Sequence, residues 1–263
     1  MASCLQKELN YKEIAEIYSK VNDFQVELGK MMVCVLGIKR GDKVLDIGCG
    51  TGEITAYIAD TVTEDGLCVG FDPDKYRIEV AMKKHLPGRT NITFFNGDSS
   101  SKFPHANEEF YDYVLCSAVF HWMNEEEKLV FLKAAYLSLR PGGKLLIRSH
   151  EKNPNMLEQT QKLVADNDIN FSRSPFKLVT KSKAVEMLLQ NGFKIQSDSY
   201  FDFFYVFESL ECYLTWFSSS AYLDKTKFLP EKVGKFALQF QKDGTVPLNV
   251  TFYKIVASRP TGF

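Results

Sequence analysis

Residues 44–52 read V-L-D-I-G-C-G-T-G, an apolar run that ends in an acid and passes into a loop with three glycines. Glycine loses more backbone entropy on folding than any other residue, so such a loop indicates a sharp bend or a close approach to a ligand. The loop lies where a short buried strand should pass into a helix, which is the usual context of a nucleotide-binding turn. It therefore predicts an α/β sheet with a binding site beside the loop.

Strands and helices alternate along the chain after an amphipathic helix predicted at residues 9–36. Strands are predicted at residues 43–47, 67–71, 91–96, 111–116 and 144–149, with helices at 51–60, 73–85 and 125–139. A helix at 181–191 and strands beginning at residues 193 and 250 follow a polar stretch at 151–175. This alternation predicts a parallel sheet with helices on both faces and a ligand site along the carboxyl edge of the strands.

Composition excludes several functional classes. The net charge of −1 gives no basic excess for nucleic-acid binding, and the apolar runs at 31–38 and 113–120 are too short to span a bilayer. Residues 1–30 carry charges throughout, so we expect no signal peptide. The six cysteines form no C-x-x-C pair and the four histidines show no ligand spacing, which predicts a reduced cytoplasmic protein without a metal.

The glycine loop does not match the phosphate-binding motifs. Glu53 stands where a dinucleotide fingerprint needs its third glycine, and its carboxylate would repel a pyrophosphate at the start of the helix. No G-K-[ST] follows, so a P-loop is also excluded. The sequence therefore predicts a nucleoside ligand without phosphates, and an NAD-dependent oxidoreductase is the weaker alternative.

Residues 46–52, D-I-G-C-G-T-G, resemble the D-x-G-x-G-x-G signature of class I S-adenosylmethionine-dependent methyltransferases. Asp72 ends the second predicted strand, where an acid can accept the ribose hydroxyls. Asp98 and Ser99 follow the third, where the family binds adenine. The stretch L-R-P-G-G-K-L at 139–145 resembles the turn that precedes the family's fifth strand.

This resemblance implies a Rossmann-like, seven-stranded, mostly parallel sheet in one domain over residues 1–263. The segment 9–36 is then an N-terminal cap helix, 41–150 is the cofactor-binding half, and 151–263 holds substrate-cap insertions and the final strands. S-adenosylmethionine would be the cofactor and S-adenosylhomocysteine its product. The cofactor-binding residues implied are Tyr18, Asp46, Gly48, Cys49, Gly50, Asp72, Asp98, Ser99 and Ser117.

Two further stretches resemble the juvenile hormone acid methyltransferases and, more distantly, the trans-aconitate methyltransferases. Residues 18–25 fit a Y-x-K-x-N-x-x-Q pattern, and a His-Trp pair, His121 and Trp122, follows the fourth predicted strand. In that family the glutamine and the tryptophan hold the substrate carboxylate. The resemblance therefore implies that Gln25 and Trp122 orient the acceptor, with His121 beside them.

A carboxylate acceptor suits neutral hydrogen-bond donors. A carboxylic acid is already ionised at pH 7, so in-line methyl transfer to it needs orientation and exclusion of water but no general base. The resemblance thus implies an O-methyltransferase for a small apolar acid, such as a terpenoid or fatty acid. We expect it to work as a monomer or homodimer without nucleic-acid or membrane partners. An amine or phenol methyltransferase with His121 as base, and a non-catalytic cofactor-binding protein, are the alternatives.

The aromatic stretch at 201–217 predicts either a lid over an apolar substrate, with Trp216 in contact with it, or core packing of an added helix and strand.

Overall fold

A computed structural model describes residues 10–98, 102–151, 176–228 and 244–261 of the chain. The helices are α1 (Tyr11–Val21), α2 (Asp23–Leu36), α3 (Glu53–Val62), α4 (Lys75–His85), α5 (Glu125–Ser138), α6 (Lys181–Gln190) and α7 (Leu210–Ala221). The strands are β1 (Lys43–Ile47), β2 (Leu67–Asp72), β3 (Ile92–Asn96), β4 (Tyr111–Ser117), β5 (Leu139–Ser149), β6 (Lys194–Phe207) and β7 (Val246–Ser258). A short 3₁₀ turn, Lys225–Lys227, follows α7.

The strands form one twisted sheet in the order β3-β2-β1-β4-β5-β7-β6. The first five pair in parallel, whereas β7 lies antiparallel to both β5 and β6. Helices α2, α3 and α4 cover one face of the parallel part, and α5 and α6 cover the other. This is the predicted fold class, a class I methyltransferase-type sheet with helices on both faces.

The predicted N-terminal helix is interrupted, which corrects the interpretation of 9–36 as a single element. Asn22, with φ −91° and ψ 17°, ends α1 and begins α2. Its side-chain amide donates to Thr51 Oγ1 (3.1 Å) and to Glu53 Oε2 (2.9 Å), so it is held by the glycine loop rather than by its own helix. The apolar periodicity continues through the break and therefore does not show it.

The predicted boundaries shift elsewhere by a few residues. Helices α3 and α4 begin two residues later than predicted, because the glycine loop precedes α3 and Asp74 caps α4 with its side chain. The predicted turn at 140–143 lies within β5, between the pairings Tyr111↔Leu139 and Tyr113↔Lys144, as a bulge.

The last two strands are longer than predicted and form an antiparallel pair that extends beyond the pairing of β7 with β5. β6 continues through the first half of the aromatic stretch, and α7 contains the second half. Rings from both halves surround Phe24 of α2, with centroids 5.5 Å away at Phe203, 5.6 Å at Tyr205 and 5.1 Å at Trp216. Together with the α1–α2 junction, this aromatic cluster forms a cap over the carboxyl edge of the parallel strands; we call it the aromatic cap.

No helix in the described ranges has the length and apolar character needed to cross a bilayer.

Candidate active site

The glycine loop after β1 bends because its glycines adopt left-handed backbone angles. Gly48 has φ 70° and Gly50 has φ 57°, a region that other residues rarely enter. A Cβ on Gly48 would lie 2.1 Å from Val119 Cγ2, so no side chain fits there. A Cβ on Gly50 would meet only Tyr18, at 3.6 Å, so this part of the loop leaves its backbone open to a ligand.

A cavity of about 330 Å³ lies between this loop and the aromatic cap. That volume is within the range of small-molecule sites. The cavity brings together nearly all the residues predicted for the site, from segments that are far apart in the chain. The predicted residues in its wall are Tyr18, Gln25, Asp46, Gly48, Cys49, Gly50, Asp72, Ser117, His121, Trp122 and Trp216.

Two predicted cofactor residues are not placed in this wall. Asp98 is exposed beyond the end of β3 and is not among the residues that line the cavity, and its role at the adenine stays a prediction. Ser99 lies outside the described residues.

Asp72, at the end of β2, fixes the geometry of the loop. Its Oδ2 accepts from the Gly50 N–H at 2.9 Å and its Oδ1 accepts from the Asp74 N–H at 2.8 Å. Burial raises the pKa of Asp72, while the positive charge of Arg77 and these two N–H groups oppose the rise. Each carboxylate oxygen retains a further lone pair for a ligand hydroxyl.

Asp46, at the end of the buried part of β1, is the second acid in the wall. Only 3% of its surface is exposed, and its Oδ2 accepts from Thr55 Oγ1 at 2.7 Å. Burial raises its pKa to about 7, despite the hydrogen bond from Thr55. A cationic ligand at this point would favour the ionised carboxylate.

Glu53 keeps its negative charge at the start of α3. Burial acts to raise its pKa, but the His85 ring 4.0 Å away and hydrogen bonds from Lys84 and Thr51 outweigh it and lower the pKa to about 2. A carboxylate held here opposes a phosphate at this helix end. The structure therefore agrees with a ligand that has no phosphates.

The Tyr18 ring packs against a cation, the guanidinium of Arg77. The Arg77 guanidinium lies 4.0 Å from the Tyr18 ring centroid and 4.6 Å from that of Tyr222. Arg77 also donates to the Ser219 carbonyl and pairs with Asp74 (3.7 Å). These contacts join α1, α4 and α7 over the loop.

Gln25 and Trp216 interact directly within the cavity wall. The Trp216 indole N–H donates to Gln25 Oε1 at 2.8 Å, and Gln25 Nε2 donates to Ser220 Oγ at 3.2 Å. The Trp216 indole N–H therefore orients the Gln25 amide. One amide N–H of Gln25 remains for a ligand.

Trp122 and His121 lie in the loop that follows β4. The Trp122 ring packs 4.7 Å from Phe176 and 6.3 Å from Tyr222, and its indole N–H has no hydrogen-bond partner among the described residues. His121 Nδ1 lies 3.2 Å from Ser149 Oγ. Burial, with the adjacent His150 and Arg148, holds the pKa of His121 well below its usual value, so its imidazole is neutral at pH 7.

Arg148 and His150 at the end of β5 belong to this wall and were not predicted from the sequence. Both are buried, and strand alternation puts them on the same face. The sequence signal that could have shown them is an arginine inside the apolar strand predicted at 144–149. An arginine is rarely buried unless its charge has a partner. No group of three potential metal ligands occurs in the described parts of the chain.

Residues 44–143 match a family model described as a methyltransferase domain. The chain is 29% identical, over 53% of its length, to a malonyl-[acyl-carrier protein] O-methyltransferase of Halalkalibacterium halodurans, and the match spans only about half of that relative, 52%. It is 28% identical to a demethylmenaquinone methyltransferase of Lactobacillus johnsonii, over 70% of this chain and 83% of the relative. A candidate methyltransferase from Bacillus halodurans C-125 has a similar structure, with a TM-score of 0.61 and 19% identity, over 89% of this chain and 99% of that one.

The fold is of the class I methyltransferase type, and residues 44–143 are similar to a methyltransferase domain. The cofactor of this class is S-adenosylmethionine, and the cavity wall fits this molecule. Asp46 and Asp72 offer negative charge and hydroxyl acceptors, the open backbone at Gly50 allows close approach, and the Glu53 carboxylate disfavours phosphate.

Proposed function

We propose that this protein transfers the methyl group of S-adenosylmethionine to the carboxylate of a small apolar acid. The observation that carries the proposal is the indole N–H of Trp122, which has no partner among the described residues and lines the same cavity as the oriented amide of Gln25. Both are neutral donors beside the aromatic rings of the cavity wall. Such donors hold a carboxylate while leaving a lone pair for the methyl carbon.

The reaction requires little from the protein beyond positioning. The acid binds as an ionised carboxylate, which is itself the nucleophile, so no proton has to be removed before the methyl group is transferred. Bound S-adenosylmethionine supplies an electrophilic methyl group on a sulfonium. The residues of the cavity hold the acceptor close to the cofactor and, under the aromatic cap, exclude water.

The class of acceptor is argued from the cavity wall and from a relative. Trp122, Phe176, Trp216 and Phe252 contribute rings that suit a terpenoid or fatty-acid chain. One relative is named for O-methylation of a malonyl group, which ends in a carboxylate. The motifs at 18–25 and 117–122 favour acids of the farnesoic or juvenile hormone acid type.

We further propose one domain over residues 1–263, in which α1, α2 and segments beyond residue 150 cover a cofactor-binding half at 41–150. A cytoplasmic location is proposed from the cysteines, of which Cys49, Cys68 and Cys116 are free and buried. The acceptor is a free small molecule in this proposal, and both a monomer and a homodimer are compatible with it.

A second candidate is methyl transfer to a phenol or amine, with His121 as the base. It is favoured by the position of His121 in the cavity wall. It is opposed by the lowered pKa of His121, because an imidazole that binds protons weakly is a poor general base.

Transfer of a labelled methyl group separates the candidates. The purified protein is incubated with labelled S-adenosylmethionine and farnesoic acid, dodecanoic acid or trans-aconitic acid. Farnesylamine, farnesol and a simple phenol serve as matched acceptors without a carboxylate. We expect label in the ester of at least one apolar acid and none in the other acceptors. Labelling of the amine or phenol alone, with no ester, would overturn the proposal.

A further inference from the structure

Arg148 is a buried cation in the cavity wall, and no carboxylate of the described residues pairs with it. Only 2% of its surface is exposed, and no ion pair of the described residues includes it. Its Nε and Nη2 both donate to one acceptor, Ser117 Oγ, at 3.1 and 3.0 Å. The guanidinium lies 4.8 Å from the centroid of the Phe252 ring. The Nη1 side of the guanidinium is therefore left for another acceptor.

The other arginine of the wall shows the usual arrangement. Arg77 is paired with Asp74 and donates to a carbonyl of α7. Burying a charge without a counter-charge is strongly unfavourable, and such a charge in a cavity wall indicates an anionic ligand. Burial lowers the pKa of Arg148 only to about 10, so the guanidinium stays charged at neutral pH.

His150 provides a second polar group beside Arg148. Its Nδ1 is buried and has no hydrogen-bond partner in the described structure. Burial first, and then the Arg148 charge, lower the pKa of His150 to about 4, so the ring is neutral and can donate one hydrogen bond. The ring lies 6.0 Å from Phe252 and 6.1 Å from Phe176, among the aromatic residues of the wall.

The position of Arg148 in the sheet indicates that it binds the acceptor rather than the cofactor. Asp72 stands at the end of β2, the glycine loop follows β1, and Ser117 and Arg148 end β4 and β5. Arg148 thus lies two strands beyond the glycine loop, on the side away from the proposed ribose acid.

We propose that Arg148, with His150 beside it, binds the carboxylate of the methyl acceptor. This inference rests on the proposed function and adds the charge that Gln25 and Trp122 do not supply. A carboxylate that loses its hydration among aromatic rings tends to take up a proton, which removes the nucleophilic lone pair. The guanidinium keeps the acceptor ionised by holding one oxygen, so the other can attack the methyl carbon.

Binding measurements test this without catalysis. Calorimetry with the protein saturated with S-adenosylhomocysteine compares dodecanoate with neutral dodecanamide for wild type, Arg148→Met, Arg148→Lys and His150→Phe. We expect Arg148→Met to weaken dodecanoate binding about tenfold or more, while dodecanamide binding stays within about twofold. Arg148→Lys keeps the charge, so its affinity for dodecanoate should lie between that of wild type and that of Arg148→Met. Arg40→Met, at an exposed arginine, is the matched control and should change nothing.

The affinity for the cofactor is measured in the same variants. If Arg148→Met weakens S-adenosylhomocysteine about tenfold but leaves 5′-methylthioadenosine, which lacks the amino-acid carboxylate, unchanged, then Arg148 binds the cofactor and the inference is wrong. Unchanged dodecanoate affinity in Arg148→Met and Arg148→Lys also overturns it, even where wild type methylates acids. If wild type neither binds nor methylates any acid, the proposed function fails and the inference fails with it. Thermal unfolding of each variant shows that it is folded.

Discussion

The side-chain amide of Asn22 donates to the Glu53 carboxylate at 2.9 Å, and so joins the break between α1 and α2 to the first residue of α3. The same amide reaches Thr51 Oγ1 at 3.1 Å. Glu53 also pairs with Lys84 at 2.8 Å, and Lys84 donates to the Ser19 carbonyl. The α1–α2 junction and the glycine loop are thus held together by a partly buried polar network, and separating them requires these bonds to break.

Asn22→Ala should loosen the cap from the glycine loop. The variant leaves the Glu53 and Thr51 oxygens with fewer donors in a buried place, which costs about 1–3 kcal/mol. We expect a lower melting temperature and a weaker affinity for S-adenosylhomocysteine, measured by thermal unfolding and calorimetry. Lys20→Ala, at an exposed position of the same motif, is the control. Equal affinities in the two variants would show that Asn22 does not hold the cap over the cofactor.

Asp72→Asn should weaken cofactor binding. The amide retains one oxygen for the Gly50 or Asp74 N–H, but it loses the charge and one acceptor, so both the loop and the ribose hydroxyls lose a partner. Affinity for S-adenosylhomocysteine should fall about tenfold or more. Asp65→Asn, an exposed aspartate, should have no effect. Affinity unchanged in Asp72→Asn would remove this residue from the cofactor site.

Cofactor affinity should depend on pH through Asp46. The pKa of Asp46 is raised to about 7 by burial, so the free protein holds a proton that the unfolded chain loses near pH 4. Its contribution therefore makes the free energy of unfolding fall as pH rises from about 4 to about 7 and level off above that. A cationic ligand favours the ionised form, so binding below pH 7 releases a proton.

We expect S-adenosylmethionine affinity to increase between pH 5.5 and 7.5, with proton release seen as a buffer-dependent heat of binding. Asp46→Asn should abolish both the pH dependence and the proton release. Burial also raises the pKa of the nearby Asp72, so the pH profile of Asp46→Asn is compared with that of Asp72→Asn. A profile that persists in Asp46→Asn would assign the titration to another group.

The cofactor-binding half follows from local sequence signals. The glycines of the loop, the acids near the ends of β1 and β2, and the apolar runs between residues 43 and 149 act over short distances, and the structure confirms the sheet they predict. The break at Asn22 was missed because its partners lie 29 and 31 residues away. Hydrophobic periodicity reports which side of a helix is buried, and it does not report a side-chain hydrogen bond to another element.

The acceptor side depends on contacts between distant residues. The Gln25 amide is oriented by a residue 191 positions later, and Arg148 meets Ser117 across neighbouring strands. The arginine was visible inside an apolar strand, but only the fold shows that it lacks a carboxylate partner in the described chain. For the aromatic stretch at 201–217, the sequence left a substrate lid and core packing as alternatives. In the structure, Tyr213, Trp216 and Phe217 line the cavity and also pack within the aromatic cap.

Trp216→Phe should lower activity through Gln25. Phenylalanine keeps the ring among Phe24 and Phe207 but removes the N–H that donates to Gln25 Oε1. The amide can then rotate, so we expect a higher KM for the acid and a kcat/KM about tenfold lower. Cofactor affinity should be unchanged. Cys212→Ala, an exposed residue of the same helix, is the control. Full activity in Trp216→Phe would show that the orientation of Gln25 does not matter.

Trp122→Phe tests the proposed donor to the substrate carboxylate directly. The smaller ring still packs against Phe176 and Tyr222, so the fold and the cofactor affinity should be retained. Only the unpartnered N–H is lost, and the acceptor carboxylate then lacks one of its fixed contacts. We expect turnover of the best acid in the labelled-methyl assay to fall about tenfold or more, with S-adenosylhomocysteine binding within about twofold of wild type. Because a role in packing alone would leave turnover intact in this variant, undiminished methylation would exclude Trp122 from the carboxylate site.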